Sequence, residues 1–216
     1  MNIKNIFFDF DGVIAESVHV KTEAFYKLYL PYGEEIADKV VQHHRANGGV
    51  SRFEKFRIYH DQFLGKEIND EKVQELADQF SNLVVDGVVE APEVPGVGDF
   101  LEKYNEDLKF WVITGTPTDE IKQIIARREL EKYFIELCGS PTKKPEWANY
   151  LVEKYDLNPE KTLFLGDSMS DYNGAKAAGT HFALRSYDEN KDVFSDYDGL
   201  RFSDFNELET KINFEL

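Results

Sequence analysis

Ile3 to Phe10 reads Ile-Lys-Asn-Ile-Phe-Phe-Asp-Phe, a short apolar run rich in β-formers that is cut off by Asp11-Gly12. That is the pattern of a buried strand ending in a sharp turn. Similar runs recur at Lys109 to Thr114, Ile135 to Cys138 and Thr162 to Gly166, with a weaker one at His181 to Leu184. Between them, Thr118 to Glu129, Pro145 to Tyr155 and Asp171 to Ala178 carry helical spacing, and Gly179 supplies a stop after the last. Strands alternating with helices of this length predict parallel crossovers and a sheet covered on both faces.

Ser17 to Val94 breaks the alternation. Amphipathic helical patterns fill it, over Val18 to Tyr29, Glu34 to His44, Ser51 to Leu64 and Asp70 to Val85, until the Pro92-Glu93-Val94-Pro95-Gly96 punctuation. The stretch reads as a helical insertion after the first strand, giving a core of 1–16 and 95–216 and a helical unit of 17–94. Two chain crossings, near Glu16 and Pro92, would join the two and allow hinge motion. The acidic stretch from Asp188 to Asp198 reads as loop and solvated surface.

Charge narrows the function. With 25 Lys+Arg against 41 Asp+Glu the net charge is −16, which repels nucleic acid and anionic membrane at long range. A composition 42% apolar and 14% aromatic supports a real core. One cysteine, Cys138, makes no internal disulfide, and no uninterrupted apolar span of membrane length or secretion signal is visible. A soluble, cytoplasmic protein is expected, with its oligomeric state open and a monomer compatible with the pattern.

Chemistry-bearing residues gather at strand ends. Asp9-Phe10-Asp11-Gly12 follows the first strand, and carboxylates two apart on extended chain share a face. Thr114-Gly115-Thr116 follows the second, where a hydroxyl and freed N–H groups suit an anion. Lys144 precedes Pro145 and a helix, and Gly166-Asp167-Ser168-Met169-Ser170-Asp171 ends another strand. Each alone also fits an ordinary turn, cap or solvated side chain; their common edge of a parallel sheet, where ligands bind, makes coincidence the poorer explanation. A phosphate dianion beside ionised Asp9 and Asp167 totals about −4, a self-repelling assembly in a partly dry site. One Mg²⁺ and Lys144 reduce this to about −1, which the Thr114 to Thr116 segment can accommodate. Asp9 then suits in-line attack on phosphorus, and Asp11, kept partly protonated near it, suits proton transfer.

Phe8-Asp9-Phe10-Asp11-Gly12-Val13, Thr114-Gly115-Thr116, Lys144-Pro145 and Gly166 to Asp171 resemble, in order and context, the four motifs of the haloacid dehalogenase superfamily. The inserted helical cap resembles its β-phosphoglucomutase and phosphoglycolate phosphatase branch. The resemblance implies an α/β fold with a Rossmann-like parallel sheet and an all-helical cap. It further implies Asp9 as nucleophile, Asp11 as acid/base, and Mg²⁺ held by Asp9, the Asp11 main-chain carbonyl and Asp167, with Asp171 acting through water. Thr114, with Gly115 and Thr116, would bind the phosphoryl group and Lys144 would neutralise charge, Lys143 being the fallback.

Gly48-Gly49-Val50-Ser51-Arg52 resembles the Gly-Val-Ser-Arg segment of the β-phosphoglucomutase cap, which implies Arg52 as a contact for a distal anion; a solvated Arg52 behind a Ser51 cap is the alternative. Two departures argue against a mutase: Lys21 stands near that enzyme's cap histidine, and Gly166 replaces an acidic residue before Asp167. His43 and His44 point about 100° apart on a helix and receive no role. The expected activity is Mg²⁺-dependent hydrolysis of a small phosphorylated metabolite, with a phosphomutase or a non-catalytic phosphometabolite sensor as alternatives.

Overall fold

The computed structural model describes residues 2–212 and 214. Six strands form one parallel sheet: β1 (Asn5–Phe8), β2 (Lys109–Pro117), β3 (Phe134–Ser140), β4 (Thr162–Gly166), β5 (His181–Arg185) and β6 (Leu200–Phe202), in the order β3-β2-β1-β4-β5-β6. The chain winds outward from β1 to β3, then returns to the other side of β1 and winds through β4 to β6. The winding reverses between β1 and β4, where an open sheet of this kind leaves a crevice at its carboxyl edge.

The apolar runs are continuous because both faces are covered. Phe7, Trp111, Ile113 and Phe164 pack with Ala148, Leu151 and Ala175 of α7 (Lys144–Lys154) and α8 (Met169–Ala178). Ile6, Phe8, Phe110 and Val112 face the larger core, which includes α5 (Val97–Tyr104), α6 (Thr118–Arg127) and α9 (Phe205–Lys211). Edge-to-face rings tie neighbouring strands on each side, Phe7 to Trp111 at 5.7 Å and Phe8 to Phe110 at 5.3 Å.

Four helices intervene between β1 and α5: α1 (Val18–Tyr29), α2 (Glu34–Ala46), α3 (Arg52–Leu64) and α4 (Asp70–Glu90). Their aromatic positions form a core in which Phe25 meets Phe80 at 4.4 Å and Tyr59 at 5.7 Å. Ser51 and Asn69 cap α3 and α4 by accepting from Phe53 N and Lys72 N. At the crossing between the helices and the sheet, Glu16 N donates to Pro92 O at 2.8 Å, and Ala15 bridges both Asp11 and Glu93.

Several elements depart from the sequence pattern. α4 runs past Val85 through Gly87 to Glu90, because Val84 and Val88 both stay buried and a Cβ at Gly87 would lie 2.9 Å from a Val20 methyl. Glycine there admits α1. β2 continues past the expected strand end at Thr114 through Gly115 and Thr116 to Pro117, which pairs with Ser140 after a register shift. α5, β6 and α9 were not expected. The acidic 188–198 stretch is not all solvated: Asn190 and Phe194 are buried.

Candidate active site

Register alone brings three strand tips level. Phe8 pairs with Val112 on one side and Leu165 on the other, so Asp9, Thr114 and Asp167 lie one or two residues beyond the same row. Asp9 N donates to Leu165 O at 2.9 Å, which continues the ladder to the first carboxylate.

Lys144, 2% exposed, starts α7 and places Nζ 2.8 Å from Asp9 Oδ2 and 2.6 Å from Asp171 Oδ1. Lys143 is exposed and faces Glu54 at 3.5 Å, so the geometry puts Lys144 at the carboxylates. Asp171 Oδ2 accepts from Ser168 N at 3.1 Å and Ser168 Oγ at 2.5 Å, a capping box that opens α8. Both Asp171 oxygens are thus engaged. The same packing explains Gly166: a Cβ there would lie 2.2 Å from Asp171 Cβ, so an acidic side chain has no room.

Asp9, Asp167 and Asp171 are all buried and offer carboxylate oxygens within 4.8 Å of one another. Burial, then the Asp171 charge, pushes the Asp9 carboxyl well above its ordinary value against the opposing pull of Lys144. The same causes push Asp167 up to about 7, opposed by a 2.5 Å hydrogen bond from Tyr187 OH and by Lys144. Asn190 Nδ2 holds the Asp167 main-chain oxygen at 2.9 Å. Three carboxylates and one ammonium leave an excess of buried negative charge, and hard oxygen donors in this arrangement suit a divalent cation. The residues fit such an ion.

Asp11 lies outside that cluster. Its carboxylate accepts from Lys21 Nζ, from Ser17 Oγ at 2.6 Å and from Thr116 Oγ1 at 3.1 Å. Burial alone would raise its pKa, but the Lys21 charge and these hydrogen bonds outweigh it and hold the carboxyl below the ordinary value. The expectation of a partly protonated Asp11 is therefore corrected: with α1 in place it is ionised. Its carboxylate does not join Asp9, Asp167 and Asp171, so only its main-chain carbonyl is left as a metal donor, the atom the motif implies. Lys21 was noticed in the sequence only as a departure from a histidine, and its bond to Asp11 was missed. Thr116 faces Asp11 and Lys21, at 2.6 Å from Lys21 Nζ, whereas Thr114 and Gly115 line the open cavity.

That cavity, about 100 Å³, lies between the helices and the sheet edge and is walled by Asp9, Asp11, Thr114, Asp167, Lys21 and Lys55 among others. The helical unit is seated on the sheet: a Cβ on Gly115 would lie 2.7 Å from Gly49 O, and Ser170 Oγ reaches Gly49 O at 3.4 Å. Arg52 is buried here, but its guanidinium is engaged. It grips Glu120 of α6 at 2.8 and 2.5 Å and donates to Ser81 at 2.8 Å, with the Phe80 ring 4.5 Å away. Arg52 lines the same cavity, and in this arrangement a carboxylate of the chain holds both arms of its fork. His44, assigned no role from sequence, is buried and bonds Lys55 Nζ through Nδ1 at 2.8 Å.

Residues 6–184 match the family model of the haloacid dehalogenase-like hydrolases. A phosphoglycolate phosphatase of Photorhabdus laumondii is 32% identical over 184 residues, covering 82% of this chain and 77% of that protein. A phosphorylated carbohydrates phosphatase of Thermotoga maritima is 29% identical over 188 residues, 81% of each chain. CbbY from Rhodobacter sphaeroides, solved in complex with phosphate, shares the fold at a TM-score of 0.72 with 17% identity, over 95% of this chain and 96% of that one. A β-phosphoglucomutase-type protein of Bacteroides vulgatus does so at 0.76 with 16% identity, over 97% and 87%. The chain belongs to the haloacid dehalogenase-like hydrolases, in the branch that holds phosphoglycolate phosphatases, and it is a phosphatase. Among the described residues no helix is long and apolar enough to cross a membrane.

Proposed function

We propose that this protein is a cytoplasmic Mg²⁺-dependent phosphatase that hydrolyses a small phosphomonoester through an aspartyl-phosphate, with 17–94 as a cap on a core of 1–16 and 95–216. The observation that carries the reading is the separation of the carboxylates into two environments. Asp9 sits with Asp167, Asp171 and Lys144, while Asp11, two residues on, is paired with Lys21. Two carboxyls in different surroundings suit two different tasks, Asp9 as the ionised nucleophile once a cation offsets its burial and Asp11 as the acid once Lys21 is drawn away.

In the first half-reaction an Asp9 oxygen forms a bond to phosphorus as the bond to the leaving oxygen breaks, and Asp11, ionised while paired with Lys21, takes up a proton once that pairing is broken and delivers it to that oxygen. Water then attacks the aspartyl-phosphate, Asp11 takes its proton, and Asp9 is released with inorganic phosphate. Thr114 and Gly115 line the space for the transferring group, and Lys144 offsets its charge from beside Asp9. Asp9, Asp167 and the Asp11 carbonyl would hold Mg²⁺, which supplies positive charge against the phosphoryl oxygens. The engagement of Arg52 with Glu120 supports transfer to water over a mutase that would use Arg52 on a distal phosphate.

Phosphate release from p-nitrophenyl phosphate and a panel of phosphorylated metabolites, with Mg²⁺ and with chelator, tests the reading. Turnover should require the metal, and Asp9→Asn should lower it by at least about 10³-fold, the scale of losing a nucleophile. No release from any substrate by protein that binds Mg²⁺ would leave the sensor alternative standing.

A further inference from the structure

Lys21, Arg52 and Lys55 line the cavity, with Lys144 beside Asp9, and their partners differ. Lys21 is paired with Asp11, Arg52 with Glu120, and Lys144 with Asp9 and Asp171. Lys55 of α3 is 1% exposed, yet among the described residues no carboxylate lies within ion-pair reach of it. Its neighbours are His44 Nδ1 at 2.8 Å and the face of the Phe25 ring, 5.6 Å from Nζ. A buried ammonium without a counter-charge is costly, and this one lines a cavity that opens onto Asp9.

We propose that Lys55, backed by His44, is a subsite for an acidic group on the leaving portion of the substrate, a carboxylate or a second phosphate remote from the phosphorus under attack. The proposal rests on the phosphatase reading and deepens it, by assigning substrate selection to a residue pair inside the cap. His44 is the right support. Burial and the Lys55 charge hold its pKa well below the ordinary value, so the ring is neutral and Nδ1 accepts one ammonium proton. The remaining ammonium hydrogens are donors for a ligand. Burial, followed by the charges of Lys21 on α1 and Lys144 on α7, pulls Lys55 itself down to about 7, with only Glu54 opposing. An anion arriving beside it supplies what those surroundings lack, whereas a neutral hydroxyl would leave the charge uncompensated.

Three non-hydrolysable probes of similar length test this without turnover: 3-phosphonopropionate, 1,3-propanediphosphonate and propylphosphonate, titrated calorimetrically into the Mg²⁺-loaded protein and into Lys55→Met. The wild type should bind one or both acid-ended probes about tenfold or more tightly than propylphosphonate, and which of the two wins separates carboxylate from phosphate. Lys55→Met, similar in volume and relieved of a buried charge, should bind all three alike; His44→Asn is the second variant and should narrow the preference. Equal affinities in the wild type, or a preference that survives Lys55→Met, overturn the proposal. A preference that depends on Lys55 in a protein that hydrolyses no phosphomonoester would keep the subsite and discard the phosphatase reading.

Discussion

Asp9 and Asp11 stand two residues apart and meet opposite fates, and the difference comes from a residue of the helical unit. The Lys21 charge, joined by hydrogen bonds from Lys21, Ser17 and Thr116, outweighs the burial of Asp11, while Asp9 shares its single ammonium with Asp171. Lys21→Met should therefore let burial dominate and raise the Asp11 pKa. In the proposed mechanism phosphoenzyme formation needs Asp11 as an acid, so the alkaline limb of kcat/KM should move upward by about one pH unit or more, measured on a substrate with a poor leaving group. An unmoved limb would show that Lys21 does not set the acid. The sequence made the carboxylates legible because strand-end spacing is a local signal. It left the Asp11 partners dark because Ser17, Lys21 and Thr116 converge from three places in the chain.

At the scale of elements, the helical unit is clamped to the sheet by side chains from α6 and the segment after it. Arg52 and Glu120 form a buried fork, and Arg128 donates to the carbonyls of Val88, Val89 and Ala91 at the end of α4. Removing one member of a buried pair strands the other charge. Arg52→Leu or Glu120→Leu should each cost about 3–5 kcal/mol in urea unfolding, and the double variant should lose less than either single change. Additive losses would mean that the two side chains act independently. Such long-range pairing explains what the pattern left out. α1 was legible end to end because its hydrophobic spacing is local, whereas β6 has three residues and depends on pairing with β5. α4 overran its expected end because burial of Val88 against its neighbours outweighs the helix-weakening glycine.

Over the whole molecule, an acidic chain has concentrated buried negative charge at one edge of its sheet, and stability should register it. Asp167 at about 7, against about 3.9 in an unfolded chain, takes up a proton on folding between those values. The stability it contributes is present below about pH 4 and is lost as pH rises through about 7; Asp9 acts in the same direction. Mg²⁺ competes with those protons, so the rise in Tm on adding it should be larger at about pH 7.5 than at about pH 5.5. Equal shifts at the two pH values would contradict a cation held by Asp9 and Asp167.

Ala15 touches Asp11 on one side and Glu93 on the other, and between those contacts the chain leaves for the helices and comes back. If the helical unit moves as a cap, its crossing and the turn bearing the proposed proton donor are one piece of backbone. On the proposed mechanism, a cap movement that admits substrate would also shift the backbone beside the acid.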